Sequence, residues 1–223
     1  MQSVPEEAQL RSRAWPSCSA LPKRLAFSAL ILAGTFSKPE VAFAHSSVPG
    51  LEGFNVGLVH PLSTPPQLLA LLALGLMLAQ CWPRKFTIAW LVFALAAIGG
   101  LAVGVAGYGH SLGERALLVV ALAASSLAAL APSWVIVPGT LLAGAGGLFL
   151  GIASTPDPGP LRAMISTITG TYVGANLAFF YAVGGVGWLR DGFNMAWAHI
   201  GLRIIAAWIA AISCLMFALS VAS

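Results

Sequence analysis

The polar positions of this chain are few and clustered, and long apolar runs separate them. Six such runs cover roughly residues 66–82, 86–107, 116–131, 134–153, 161–187 and 196–220. A helix needs about 20 mostly apolar residues to cross the hydrocarbon core of a bilayer. The runs are joined by "PRK", "YGHSLGER", "APS", "STPDPGP" and "LRDGFN". Pro, Gly and charge in such short connections stop one helix and start the next, and short connections make antiparallel neighbours. The pattern predicts an all-α fold: a polytopic membrane bundle of about six transmembrane helices.

A seventh apolar stretch is too short to span. In "KRLAFSALILAGTFSKPEVAFAHSS", Lys23 and Arg24 form a positive start, Leu25 to Gly34 an apolar centre, and Ala42-Phe43-Ala44 a small-residue cleavage site. This reads as a cleavable signal peptide. Residues 1–44 are thus an N-terminal extension and signal peptide, and 45–223 the six-helix membrane domain. Cleavage after Ala44 makes His45 the mature N-terminus, outside the cytoplasm. Its α-amino group and imidazole can together chelate a divalent metal.

Composition supports the membrane reading. The chain is 58% hydrophobic and 8% charged, against about 25% charged in soluble domains. Of the basic residues behind the formal charge of +4, Arg11, Arg13, Lys23, Arg24 and Lys38 lie in the first forty positions. No basic stripe remains, so nucleic acid is excluded as a partner and membrane lipid is the expected one. Cys18, Cys81 and Cys214 have no metal-ligand spacing and predict no disulfide. An outside N-terminus puts Arg84, Lys85 and Arg190 in the cytoplasm and Arg115 and Arg162 outside, as the positive-inside rule prefers. Trp82, Trp90, Trp134 and Trp188 fall toward the same cytoplasmic face. The expected location is a bacterial inner membrane.

Within the runs, Gly100 and Gly104, Gly147 and Gly151, and Gly170 and Gly174 sit four apart, the spacing that lets helix backbones approach closely. Ser166, Thr169, Tyr172 and Asn176 share one helix face. They line a hydrophilic path or supply interhelical hydrogen bonds. His199 and Arg203 share a face of the last run. Arg203 either joins the path or snorkels to the interface while His199 bonds a carbonyl, since a mid-bilayer arginine costs about 2.5–3.5 kcal/mol. In "GFNVGLVHPLSTPPQLLALLALGLMLAQ", Pro61, Pro65 and Pro66 predict non-helical backbone before a span starting near Pro66 or Gln67. Irregular backbone at membrane depth survives where protein covers it or water reaches it. His60, with Glu52 and His45 shortly before it, then forms an outward-facing cation funnel.

The stretch "AHSSVPGLEGFNVGLVHPLSTPPQLLALLALGLMLAQ" resembles the start of the hydrogenase/urease accessory permease family (HupE/UreJ), which has a cleaved signal, an N-terminal His, a Gly-Phe-x-x-Gly-x-x-His-Pro stretch and six spans. Gly53, Phe54, Gly57, His60 and Pro61 match it. "HIGLRIIAAWIAAISCLMFAL" is similar to the family's closing helix, with Arg203 and Trp208 in place. The resemblance covers about residues 44–220. It implies nickel or cobalt uptake as the activity, with Ni²⁺ or Co²⁺ as transported ion and no tightly held cofactor. The family's metal motif runs His-Pro-x-x-x-x-Asp-His. Here His60 matches, while Pro66 and Gln67 stand where Asp and His belong. A second motif, His-Gly-x-Ala-His-Gly-x-Glu, is expected in the fourth span, where "LLAGAGGLFLGIAS" has neither His nor Glu.

Two other readings compete. Gly109 to Gly113 reads "GHSLG", the pattern around a hydrolase serine, but it falls in an outer loop between helices, the adjacent His110 cannot easily turn back on Ser111, and His199 lies about a bilayer thickness away, roughly 30 Å, so no enzyme is expected. A bundle this rich in Gly and Ala also suits a non-transporting structural or accessory subunit packed against other membrane subunits.

Overall fold

The computed structural model describes residues 53–82, 86–107, 109–130, 135–156, 159–192 and 196–222. The signal segment, the proposed domain boundary, His45, Glu52, the "PRK" connection and Trp134 lie outside the described residues. The described residues contain seven α-helices and no strand: α1 Phe54–Ser63, α2 Pro65–Leu78, α3 Phe86–Val105, α4 His110–Leu130, α5 Ile136–Ala153, α6 Leu161–Gly192 and α7 Ala196–Ala222. A 3-10 turn, Ala79–Cys81, extends α2. Helices α3 to α7 are each long and apolar enough to cross a membrane, and α1 with α2, a pair bent by 70°, passes the same test together as a broken span or a re-entrant loop, for up to six spans among the described residues. The chain is an all-α, multi-pass membrane bundle.

The prolines before the first span act differently from expectation. Pro61 lies inside α1, and the only non-helical residue between α1 and α2 is Thr64, extended at φ −96°, ψ 113°. The break belongs to the Thr64–Pro65 step, because the ring of a following proline pushes its predecessor out of the helical region. Pro61 removes one hydrogen bond from α1, yet the ladder resumes at once with Thr64 N–H donating to the His60 carbonyl at 3.2 Å. Membrane helices tolerate such prolines where neighbours support them, and α1 lies tightly against α6. Pro65 and Pro66 open α2, positions where the missing N–H would have had no helical partner.

Beyond Gln67 in its first turn, helix α2 is apolar on every face, which suits a helix enclosed by others. It packs against α4, α5, α6 and α7, and Leu71, Leu74, Met77 and Leu78 are fully buried. The short connections predict packing between successive helices. The closest pairs are instead not successive: α3 with α5, separated by one helix in the chain, and α1 with α6, separated by four. Glycine makes both contacts. A Cβ on Gly100 would overlap the Leu148 carbonyl, and one on Gly147 the Phe93 carbonyl. On Gly170 and Gly174 it would strike the carbonyls of Phe54 and Leu58. In each pair the residue numbers rise together, so these partners run parallel, with α4 antiparallel beside α5. Small residues win over chain proximity because van der Waals contact, not water exclusion, drives association in lipid.

The aromatic core joins the two pairs. Phe93 of α3 and Phe179 of α6 stack with ring centroids 4.3 Å apart at 17°, and both are fully buried. Phe93→Ala is expected to cost about 3–5 kcal/mol. The measurement is the shift in unfolding midpoint of the purified chain in detergent on titration with denaturing surfactant.

Candidate functional site

The 70° bend between α1 and α2 does more than redirect the chain. In a straight helix, residues seven apart are separated by about 10 Å along the axis. Across the elbow, Gln67 Nε2 comes to 3.4 Å from His60 Nε2. Gln67 is the third residue of α2 and is fully buried, while His60 is half-buried. Ser154, the residue after α5, is also buried, and its hydroxyl donates to Gln67 Oε1 at 3.2 Å. The amide nitrogen carries only N–H donors, so the contact is a hydrogen bond in the tautomer that keeps the ring proton on Nδ1 and the Nε2 lone pair toward the amide. Ser63 Oγ donates to the His60 carbonyl at 3.0 Å. The result is a polar chain, Ser154–Gln67–His60, leading from the bundle core to the elbow. Its hydrogen bonds offset the cost of burying an amide and a hydroxyl among apolar residues.

The prolines shape the electrostatics of this elbow. A helix N-terminus normally presents free N–H groups and partial positive charge, which disfavours a cation. Pro65 and Pro66 have no N–H. The neighbouring donors are occupied, Thr64 N–H by the His60 carbonyl and Leu68 N–H by the Thr64 carbonyl. The carbonyl end of α1 meets a mouth of α2 stripped of most donors, a setting suited to an imidazole acting as ligand or acceptor.

The stripe predicted on α6 lies partly beside this elbow. A Cβ on Gly53 would touch Ser166 Oγ at 2.9 Å, which places Ser166 against the start of α1. Thr169 is exposed, and its hydroxyl donates to the Ile165 carbonyl at 2.8 Å. Asn176 Nδ2 donates to the carbonyl of half-buried Tyr172 at 2.9 Å, while its Oδ1 is buried without a partner. Thr171, which the sequence stripe omits, is buried with an unpartnered hydroxyl, and a Cβ on Gly57 would press on its backbone nitrogen. His199 and Arg203 are brought together at the other end of α6, beside Arg190. There Arg203, not His199, makes the carbonyl bond: Nε donates to Ala129 O at 2.6 Å. Ser111 lies in the first turn of α4, not in the loop expected for it.

Sequence reasoning missed Ser154, which is 87 residues from Gln67 and carries no local signal. Among the described residues no three His, Cys, Asp or Glu side chains group as metal ligands.

A family model described as HupE / UreJ protein matches residues 31–216. No curated protein and no solved structure gives a significant match.

Proposed function

The chain belongs to the HupE/UreJ family, and on that premise we propose that it is a permease-like protein that passes or binds a divalent metal, Ni²⁺ or Co²⁺, for metalloenzyme maturation. The family is linked to nickel and cobalt transport for hydrogenase and urease maturation. One observation carries the reading to this chain. His60, the matching residue of the first family motif, lies at 3.4 Å from Gln67, which occupies the place of the motif's second His. Gln67 in turn bonds Ser154, in the stretch where the second motif belongs. The segments that carry ligands in the family motif converge in this fold, around one imidazole, one amide and one hydroxyl. This donor set is weaker than imidazole and carboxylate for a transition metal, which suits passage better than retention. The metal enters from the outer side of a bacterial inner membrane, where His45, Glu52 and His60 attract it. Ser166, Tyr172 and Asn176 continue the route along α6, with His199 and Arg203 at its cytoplasmic end; Thr169, exposed and bonded to its own helix, lies off it.

The experiment is nickel and cobalt accumulation in cells lacking the protein, expressing it, and expressing His60→Ala. Accumulation should rise with the protein and fall to the level of cells without it in the variant. Equal accumulation in all three removes the transport reading.

A second reading, a non-transporting subunit of a larger membrane complex, draws support from α7. Only 17% of its most apolar stretch is buried within the chain, against 44% for α4. Trp208, Leu215 and Leu219 face outward on it. Co-purification of a stoichiometric membrane partner in mild detergent, together with unchanged metal accumulation, would favour this reading.

A further inference from the structure

At the end of α6 remote from the elbow, a second group of polar side chains converges. Arg190, His199, Arg203 and Gln80 surround a pocket of about 220 Å³ whose apolar wall includes Leu76 and Leu202. Its polar residues come from three elements, the turn after α2, the last turn of α6 and the start of α7, while Leu76 of α2 and Ala128 of α4 also line it. Along α6, Arg190 lies 24 residues beyond Ser166, about 36 Å at 1.5 Å per residue, so this pocket shares nothing with the elbow.

Its charge is one-sided. Two guanidinium groups, permanently positive, face it together with an imidazole and an amide. Asp191 is exposed on the next position of α6, and among the described residues no carboxylate pairs with either arginine. Arg203 is anchored through one nitrogen: its Nε–H donates to the Ala129 carbonyl at 2.6 Å. That bond holds the guanidinium plane at the end of α4 and leaves the terminal amino groups as donors. Two cations sharing one pocket repel unless an anion lies between them. Depth also points to the bilayer surface. Trp188 and Trp197, on either side of the α6–α7 connection, are 68% and 63% exposed, and exposed indoles of a membrane protein favour the headgroup layer.

We propose that this pocket is a phosphate-binding site at the membrane interface. The guanidinium fork grips two oxygens of a phosphate in parallel bonds, a geometry lysine cannot reproduce. The His199 ring and the Gln80 amide supply donors to the remaining oxygens, and Leu76 and Leu202 keep bulk water from competing along one wall. A water occupies about 30 Å³ of liquid, so the pocket holds a phosphate group with several waters. The phosphate is that of an anionic lipid headgroup, which basic pockets between membrane helices recognise, or a free phosphate from the adjoining solution. The site uses no residue of the elbow, although it includes His199 and Arg203 from the cytoplasmic end of the proposed route.

The test uses the purified full chain in detergent micelles. Dioctanoyl phosphatidylglycerol, dioctanoyl phosphatidylcholine and inorganic phosphate are titrated separately, with bound species counted by native mass spectrometry. The wild type is expected to bind phosphatidylglycerol at least about tenfold more tightly than phosphatidylcholine, the size of one charge-assisted hydrogen bond. Arg190→Gln combined with Arg203→Gln should abolish that preference. Competition by inorganic phosphate assigns the site to the free ion as well, and phosphatidylglycerol binding without competition assigns it to the lipid. Arg203→Lys keeps the charge and the long side chain and serves if the double variant does not fold; its binding should weaken several-fold. Equal binding of the two lipids with no bound phosphate overturns the proposal. So does a preference that survives in the double variant, or full wild-type affinity in Arg203→Lys.

Discussion

Pro66→Asp combined with Gln67→His is expected to raise the nickel affinity of the purified chain by more than about tenfold. The two changes place a carboxylate and a second imidazole where the family's first motif has them, and Gln67 already lies 3.4 Å from His60 Nε2. Both are groups that a divalent transition metal prefers over an amide. The tenfold floor is conservative, because loss of even an outer partner of a metal ligand typically costs 10–100-fold in affinity. An aspartate also suits the first turn of α2, where negative charge complements the helix N-terminus. Ser154, which now donates to the amide, can donate to an imidazole nitrogen instead. Isothermal titration with nickel checks the result, with Gln67→Leu as a control that removes the amide without adding a ligand. Affinity unchanged from wild type would mean that the elbow does not face a position a metal can occupy.

Gly57→Leu is expected to destabilise the bundle by about 3 kcal/mol or more, the upper end of overpacking costs. Its Cα lies against the α6 backbone: a Cβ there would overlap the Thr167 carbonyl oxygen and approach the Thr171 nitrogen at 2.7 Å. Neither obstacle is a side-chain end that can rotate away, so α1 itself must move. Because α1 carries His60, the displacement should open the His60–Gln67 contact as well as lower stability. Gly185→Leu is the matched control, since a Cβ at Gly185 meets nothing within 4 Å. The unfolding midpoint in detergent should fall for the first variant and stay near wild type for the second. Equal midpoints would show that the α1–α6 contact is looser than glycine packing implies.

The two variants separate what the chain's pattern reveals from what it hides. Spans are legible because length and apolarity are local properties, and the bilayer imposes the same length on all of them. The glycine pairs 100/104, 147/151 and 170/174 are legible as close-approach positions, though not their partners, because any small-residue groove fits any other. That is why α3 pairs with α5 and α1 with α6 against the expectation from short connections. Pro61 misled for a physical reason: the penalty of an internal proline is small when a neighbouring helix holds the segment, and α6 is invisible from residues 51–66. The effective break came from Pro65 acting on Thr64.

The candidate site was half legible. His60 stood out as an imidazole beside a proline break, and Gln67 as the residue occupying a ligand position. Their contact was not visible, because seven residues along a helix are far apart unless the chain turns between them. Ser154 could not be found, since a lone serine at a helix end has many uses and only the fold brings it to α2. The stripe on α6 is a periodic pattern, and periodicity alone does not distinguish Thr169, exposed to the outside, from Thr171, buried against α1.

The central claim is that the elbow holding His60 against Gln67 serves a divalent metal that crosses the membrane. Purified protein reconstituted in lipid vesicles, with a nickel-sensitive dye inside, tests it without other cellular components. Saturable entry above that of empty vesicles, lost in His60→Ala, is the result expected. Entry no faster than in empty vesicles, or equal entry in wild type and His60→Ala, would contradict it.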